Sequence, residues 1–375
     1  MPFCYSPWTN IDISPLGDIS PCCKFQTKYY DQKFNIQAQS ISDYANSEFL
    51  KDVKQEFQNG QWPKGCERCR IEEENNIKSK RILDYDRWQE HYQEYKLAEE
   101  NFITASLAFG NTCNLKCITC NPYSSSQWRK EYQDIYHVDI QHFKFYKQNF
   151  VTDFIKSAPS VIHIDIPGGE PFLSGVKEQK QLLQHYIDQG QAKHVTLHYT
   201  TNATIFPDQE WWDIWTQFKE IDLQLSLDGT GERYEYIRYP AVWNEVHNHI
   251  EKYIEAEKKL SNFRISVSHT VSAYNIYYLD NFVSWCHTIG LPKPWMGRVH
   301  NPDYMRPTVW PEMARQEIAK HLNHSVHEDV RTWAQLLSNE DDSDLFEIFK
   351  TRLQQHDQYR KVSFELTFPE LEKYL

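Results

Sequence analysis

No apolar run in this chain approaches the roughly 20 residues that a bilayer-spanning helix needs. The start, Met-Pro-Phe-Cys, has no basic segment leading into an apolar one. A membrane anchor and a secretory signal are therefore not expected, and the chain is read as cytoplasmic. Positive charge is also short: 40 Lys and Arg stand against 52 Asp and Glu, for a formal net charge of -12 and a pI near 5.7. That excludes a general electrostatic footprint for nucleic acid and leaves only a local basic groove as a route to such a partner. Internal repeats and long low-complexity tracts are missing as well. In a reducing compartment the nine cysteines are not expected to form structural disulfides, so the clustered ones are read as metal ligands. The 375 residues exceed one compact domain and suffice for two or three.

The cysteines carry the strongest signal. A strand-like run, Ile103 to Phe109, leads into Cys113-Asn114-Leu115-Lys116-Cys117-Ile118-Thr119-Cys120. Three thiolates at this spacing can hold three irons of a four-iron cluster while leaving the fourth open to a chelating cofactor. The loop follows a strand, the end at which open α/β sheets bind ligands. Zinc and a redox dithiol are the competing readings of closely spaced cysteines. Structural zinc wants four ligands, yet no fourth cysteine lies near Cys120, and His137 and His142 are too far along for a compact knuckle. A second signal, Pro167-Gly168-Gly169-Glu170-Pro171, follows the alternating run Val161 to Ile166. Paired glycines allow positive φ and close approach of the backbone to a ligand, and Glu170 offers a carboxylate to an amine.

Together these segments resemble the radical S-adenosylmethionine (radical SAM) superfamily, in which C-x-x-x-C-x-x-C is followed about fifty residues later by Gly-Gly-Glu-Pro. The resemblance implies that Cys113, Cys117 and Cys120 bind a [4Fe-4S] cluster with an open iron, and that Gly168, Gly169 and Glu170 hold the methionine amino group of S-adenosyl-L-methionine. It extends to Ser226-Leu227-Asp228-Gly229 and the downstream Arg238, implying that Ser226 and Arg238 contact the ribose and methionine carboxylate, with Asp228 shaping the turn. A turn cap and a surface ion pair are the bland reading of Ser226 and Arg238. Thr200-Thr201-Asn202-Ala203-Thr204 is similar to the family's Thr-Asn-Gly turn, with Ala203 in place of glycine, and makes Asn202 a cofactor contact. Thr119 departs from the large apolar residue usual before the third cysteine, which reduces packing near the adenine.

The amino-terminal seventy residues hold Cys4, Cys22, Cys23, Cys66 and Cys69. Trp8 to Ser14 and Asp18 to Cys22 flank Pro15-Leu16-Gly17, a pattern for a hairpin that brings Cys4 near Cys22. Apolar residues at Ile41, Tyr44, Phe49, Val53 and Phe57 predict an amphipathic helix over Ser40 to Gln58. The set Cys4, Cys22, Cys66 and Cys69 resembles the auxiliary-cluster region called SPASM, in its shorter form, twitch, placed before the core. That implies one auxiliary iron-sulfur cluster, with zinc as the competing occupant and Cys23 as an alternative ligand to Cys22.

Strand-like runs at 103 to 109, 161 to 166, 194 to 199, 221 to 227, 263 to 269 and 295 to 300 alternate with helical ones at Pro122 to Tyr136, Val176 to Gln189 and Trp243 to Lys259. Alternation predicts an α/β parallel sheet, and the resemblance implies a partial (β/α)6 barrel. The expected layout is a cysteine-rich head and helical connector over 1–100, a core over 101–305 and a helical extension over 306–375, with residues 138–150 lengthening the first crossover. Cys286, with Leu279, Phe282 and Val283, marks a buried helical face. Trp211, Trp212 and Trp215 are read as packing, and His163, His194, His198 and His269 as packing or substrate contacts.

The implied activity is reductive cleavage of S-adenosylmethionine to a 5′-deoxyadenosyl radical that abstracts hydrogen from a substrate. The electron donor is expected to be a flavodoxin or ferredoxin. A peptide or protein side chain is the first choice of substrate and a small metabolite such as a sugar or nucleoside the second. A noncatalytic metal-binding scaffold is the different-class alternative. No residue is assigned as a catalytic acid or base.

Overall fold

A computed structural model describes residues 2–74, 78–94, 102–140 and 150–375. Among the described residues there are nine strands: β1 (Asn10–Ile13), β2 (Asp18–Ser20), β3 (Phe34–Asn35), β4 (Thr104–Leu107), β5 (His163–Ile166), β6 (Thr196–Thr201), β7 (Glu220–Ser226), β8 (Phe263–Val271) and β9 (Trp295–Arg298). The last six are the strands that hydropathic alternation predicts. β7, for example, buries every second residue, Ile221, Leu223 and Leu225. The sheet is open, with β3 and β9 each having a neighbour on one side only, so the α/β class and the unclosed sheet agree with expectation.

The chain divides into two compact units, one of residues 1–111, 143–199 and 209–221 and another of residues 112–142, 200–208 and 222–375. In the first, the strand order is β3-β2-β1-β4-β5-β6. The β1–β2 hairpin forms as expected, with Asp12 opposite Ser20 and Gly17 at φ 84 in the turn. It is not an appendage: β1 pairs parallel with β4, Asn10 opposite Thr104. Of the predicted Trp8 to Ser14 strand, Asn10–Ile13 forms. Ser6–Thr9 is a helical turn because Pro7, lacking an N–H, suits a first turn. The helix predicted over Ser40 to Gln58 is two. Ile41–Ala45 starts at a Ser40/Asp43 capping box, and the Ser47 hydroxyl, accepting from the Leu50 N–H, restarts the chain as Glu48–Gln58. The connector is helical over Glu67–Glu74 and Lys80–Glu94, and its end, like residues 141–149 of the expected crossover, lies outside the described residues. Trp211 and Trp215 are buried beside Phe172 and Tyr199.

In the second unit β7, β8 and β9 are consecutive, β8 and β9 pairing parallel. Helices Trp243–Lys259 and Leu279–Ile289 accompany them. The helix expected from Pro122 begins only at Trp128, since the Asn121 carboxamide accepts the N–H groups of Tyr123 and Ser124 and holds a turn there. The carboxyl-terminal helices Glu312–Asn323, Glu328–Asn339 and Phe346–Arg360 share one apolar core with Tyr274, Ile276 and Trp310. The extension is thus part of this unit's core.

Candidate active site

The Cys113–Cys120 loop lies in the second unit, anchored by the buried Leu115 and Ile118. Its main chain is tied down along its length. The Lys116 N–H donates to the Tyr239 carbonyl (2.8 Å) and the Ile118 N–H to the Ile237 carbonyl (2.7 Å). The Ser125 hydroxyl donates to the Leu115 carbonyl (2.5 Å) and the Trp128 indole N–H to the Cys117 carbonyl (2.9 Å). These partners satisfy backbone groups that an irregular loop would otherwise bury unpaired. Two side chains reach the sulfurs themselves. The Asn202 amide lies 3.8 Å from Cys113 Sγ, and Arg238 Nη1 lies 3.9 Å from Cys117 Sγ.

Both are held in place. Asn202 Nδ2 also donates to Asn114 Oδ1 (3.0 Å), and its carbonyl accepts from the Tyr234 hydroxyl (3.0 Å). Ala203, where the resemblance expects glycine, sits at φ 60, its N–H on Thr201 Oγ1 and its carbonyl on the His249 ring. Arg238 pairs with the fully buried Asp228 at 2.8 Å, and Asp228 in turn accepts the Thr270 N–H. Arg238 is therefore not in a surface ion pair. Ser226, at the end of β7, has its hydroxyl 3.4 Å from that of Ser268. Burial pushes the Cys117 and Cys120 thiols above their ordinary range, with Arg238 and Arg360 pulling Cys117 partly back. A metal that replaces the thiol proton removes that penalty. Three thiols on one strapped loop with N–H donors at two of them fit a cluster, whose potential such hydrogen bonds tune.

The sequence reading missed what lies behind this loop. Glu131, fully buried on the helix Trp128–Tyr136, accepts from His356 Nδ1 (2.8 Å) and Arg360 Nε (2.7 Å) and pairs with Lys116 Nζ (2.8 Å). Arg360 also donates to the Lys116 carbonyl (2.7 Å) and lies over the rings of Trp128 and Tyr239. The carboxyl-terminal helix is thereby bonded to a residue between two of the three cysteines. The partners are more than 220 positions apart, so no local pattern signals them.

In the first unit, the Gly168-Gly169-Glu170 turn follows β5. Gly168 has φ +90, and a Cβ there would lie 3.0 Å from Ala108 Cβ and 3.2 Å from the Gly110 carbonyl. Gly169 has φ 55. Glu170 is fully buried, its carbonyl accepting the Leu173 and Ser174 N–H groups and its carboxylate lying 3.4 Å from the Phe172 N–H. Gly168→Ala should cost at least 1–2 kcal/mol from the left-handed φ alone, measurable by urea unfolding. An unchanged midpoint would mean the turn adopts another conformation.

The amino-terminal cysteines also belong to the first unit. Arg81 bonds Glu73 and the Phe3 carbonyl (2.7 Å), tying the Cys4 segment to the connector, and the Gln26 N–H donates to the Gly65 carbonyl (2.9 Å) beside Cys66. Burial pushes the Cys4 thiol up to about 11, and nearby Cys69 adds to it. Cys22 is raised by burial and by Cys23, Cys4 and Cys66. Cys23, also pushed up to about 11 by burial, has Lys80, Asp12, Asp165 and Lys24 around it. Cys22 thus has Cys23, Cys4 and Cys66 among its neighbours. Among the described residues no group of three or more His, Cys, Asp or Glu converges on a single metal-ion position. Cys286 is buried on its helix, its thiol pushed up to about 12 by burial, and His269 is buried with Nδ1 at the Leu227 carbonyl (2.8 Å) and its ring pushed down to about 4 by burial.

Residues 4–70 match the SPASM family, described as an iron-sulfur cluster-binding domain. No curated protein matches the chain. Solved structures that align include native anSMEcpe with bound AdoMet, at 18 % identity over 54 % of this chain and 53 % of that one, TM-score 0.40. TYW1 with a lysine-pyruvate adduct bound aligns at 14 % identity over 60 % and 74 %, TM-score 0.34. Streptococcus suis SuiB bound to S-adenosylmethionine aligns at 12 % identity over 79 % and 63 %, TM-score 0.36. The chain thus spans about half the length of anSMEcpe. The family match spans Cys4, Cys22, Cys66 and Cys69, the cysteines of the amino-terminal seventy residues that the sequence groups as one auxiliary-cluster set.

Proposed function

We propose that this chain is a radical SAM enzyme that abstracts hydrogen from a peptide or protein side chain. The observation that carries the reading is the strapped Cys113–Cys120 loop with Asn202 and Arg238 N–H donors aimed at two of its sulfurs. When bound, a [4Fe-4S] cluster with an open iron supplies the electron that cleaves S-adenosylmethionine to a 5′-deoxyadenosyl radical. Cys113, Cys117 and Cys120 would hold the cluster. Arg238 places positive charge at Cys117, and Asp228 keeps the guanidinium in one orientation. Gly168 and Gly169 would bring backbone close to the methionine amino group and Glu170 would accept from it. Cys4, Cys22, Cys66 and Cys69 would hold one auxiliary cluster that passes electrons.

Among the described residues no helix is long and apolar enough to cross a membrane, and the net charge of -12 disfavours nucleic acid. A flavodoxin or ferredoxin is the proposed electron donor. The test is dithionite-dependent formation of 5′-deoxyadenosine by anaerobically reconstituted protein. Wild type should form it and the Cys113→Ala/Cys117→Ala/Cys120→Ala chain should not. Absence from wild type with full iron loading would sink the reading.

A further inference from the structure

The register of the first unit draws a polar line that the sequence does not show. Ser20 pairs with Asp12, Asp12 with Ser106, Ser106 with Asp165, and Asp165 with His198, across β2, β1, β4, β5 and β6. A second row, Asn10, Thr104, His163 and Thr196, runs beside it. These residues share one face, because side chains alternate along each strand. The other face carries Ile11, Ala105, Ile164 and Leu197, all fully buried. A sheet stabilised only by packing has no need of two carboxylates and two imidazoles on one face.

Their hydrogen bonds leave acceptors. Asp165 Oδ1 accepts from both His163 Nε2 (3.0 Å) and His198 Nδ1 (2.9 Å). A carboxylate cannot donate, so each ring donates from the nitrogen that faces it, and in the neutral His163 ring Nδ1 is then an acceptor. His163 is 2 % exposed and its Nδ1 has no partner among the described residues. The Asp165 side chain is 36 % exposed, with both bonds on one oxygen. Asp12 is buried and takes hydrogen bonds from Ser20 Oγ (3.4 Å) and from the Ser106 side chain, while burial pushes its carboxyl up to about 6 against the pull of both bonds and of Lys80. The neighbouring cation, Lys80, is already held by both oxygens of Asp84, and the exposed Cys23 lies alongside.

We propose that this row is a binding site for a cationic donor group, an alkylammonium or guanidinium, seated over Ser106 between Asp12 and Asp165. Those two residues lie two strands apart, about 10 Å between backbones, and the acceptors left open fit a ligand that offers only donors. The inference rests on the radical-enzyme reading only in calling the ligand a substrate, which is then a lysine or arginine side chain or another amine.

The probes are Nα-acetyl-lysine amide and Nα-acetyl-arginine amide, with Nα-acetyl-norleucine amide as the uncharged match in shape, titrated calorimetrically into the full reconstituted chain without S-adenosylmethionine. Wild type should bind a cationic probe at least tenfold more tightly than norleucine amide. Asp165→Asn and Asp12→Asn, each checked for an unchanged circular dichroism spectrum, should reduce that preference below about twofold. Equal binding of charged and uncharged probes by wild type overturns the proposal, and needs no variant. So does a preference that survives both substitutions. The Cys113→Ala/Cys117→Ala/Cys120→Ala chain separates the two readings: it should keep the cation preference while losing 5′-deoxyadenosine formation.

Discussion

Glu131→Gln should destabilise the folded chain by about 3–5 kcal/mol at neutral pH, the range for removing one partner from a buried charge group. The substitution keeps the volume but leaves the Arg360 guanidinium buried without its carboxylate. Burial alone would raise the Glu131 carboxyl, yet His356, Arg360 and Lys116 outweigh it and hold it down to about 2, against an ordinary 4.5. A carboxyl depressed in the folded state contributes stability that is complete above its unfolded pKa and disappears as pH falls through the folded one. The stability difference between wild type and Glu131→Gln should therefore be full above about pH 4.5 and shrink toward zero near pH 2. Urea unfolding at a series of pH values measures it. The double replacement Glu131→Leu/Arg360→Met should regain most of the loss, because it removes both charges together. A single variant within about 1 kcal/mol of wild type would show that water reaches this group. Since Arg360 also holds the Lys116 carbonyl, iron retained after reconstitution should fall along with stability.

Arg238→Leu should be equally costly, about 3–5 kcal/mol, because the fully buried Asp228 loses its counter-charge. Here the consequences separate. Combining Arg238→Leu with Asp228→Asn removes the uncompensated carboxylate, so stability should recover. The guanidinium beside Cys117 Sγ stays absent, so 5′-deoxyadenosine formation should remain about 10–100-fold down, the usual effect of losing a group that supports a metal ligand. Arg238→Lys keeps the charge and should be intermediate. Restored activity in the double variant would reduce Arg238 to a structural role.

The parts legible in the sequence were those set by near neighbours. Alternation along β7 and β8 marks strands because successive side chains face opposite ways, and Val176–Asp188 and Trp243–Lys259 carry their helical period in the open. The helix break at Ser47 was also local, yet hidden, since a capping serine inside an unbroken apolar period looks like an exposed helical residue until its hydroxyl takes the Leu50 N–H.

By itself the amino-acid order determined the cysteine ligand candidates, the glycine turn and the six alternating strands, because ligand spacing and side-chain direction are properties of a few consecutive residues. Only the tertiary structure decided that Arg238 stands between Asp228 and Cys117. It alone joined Arg360 to Glu131 across the chain, and it alone lined up Asp12, Ser106, Asp165 and His198. Strand register and helix docking bring together residues far apart in sequence. They are settled by burying apolar faces and pairing buried charges, and no short-range pattern records them.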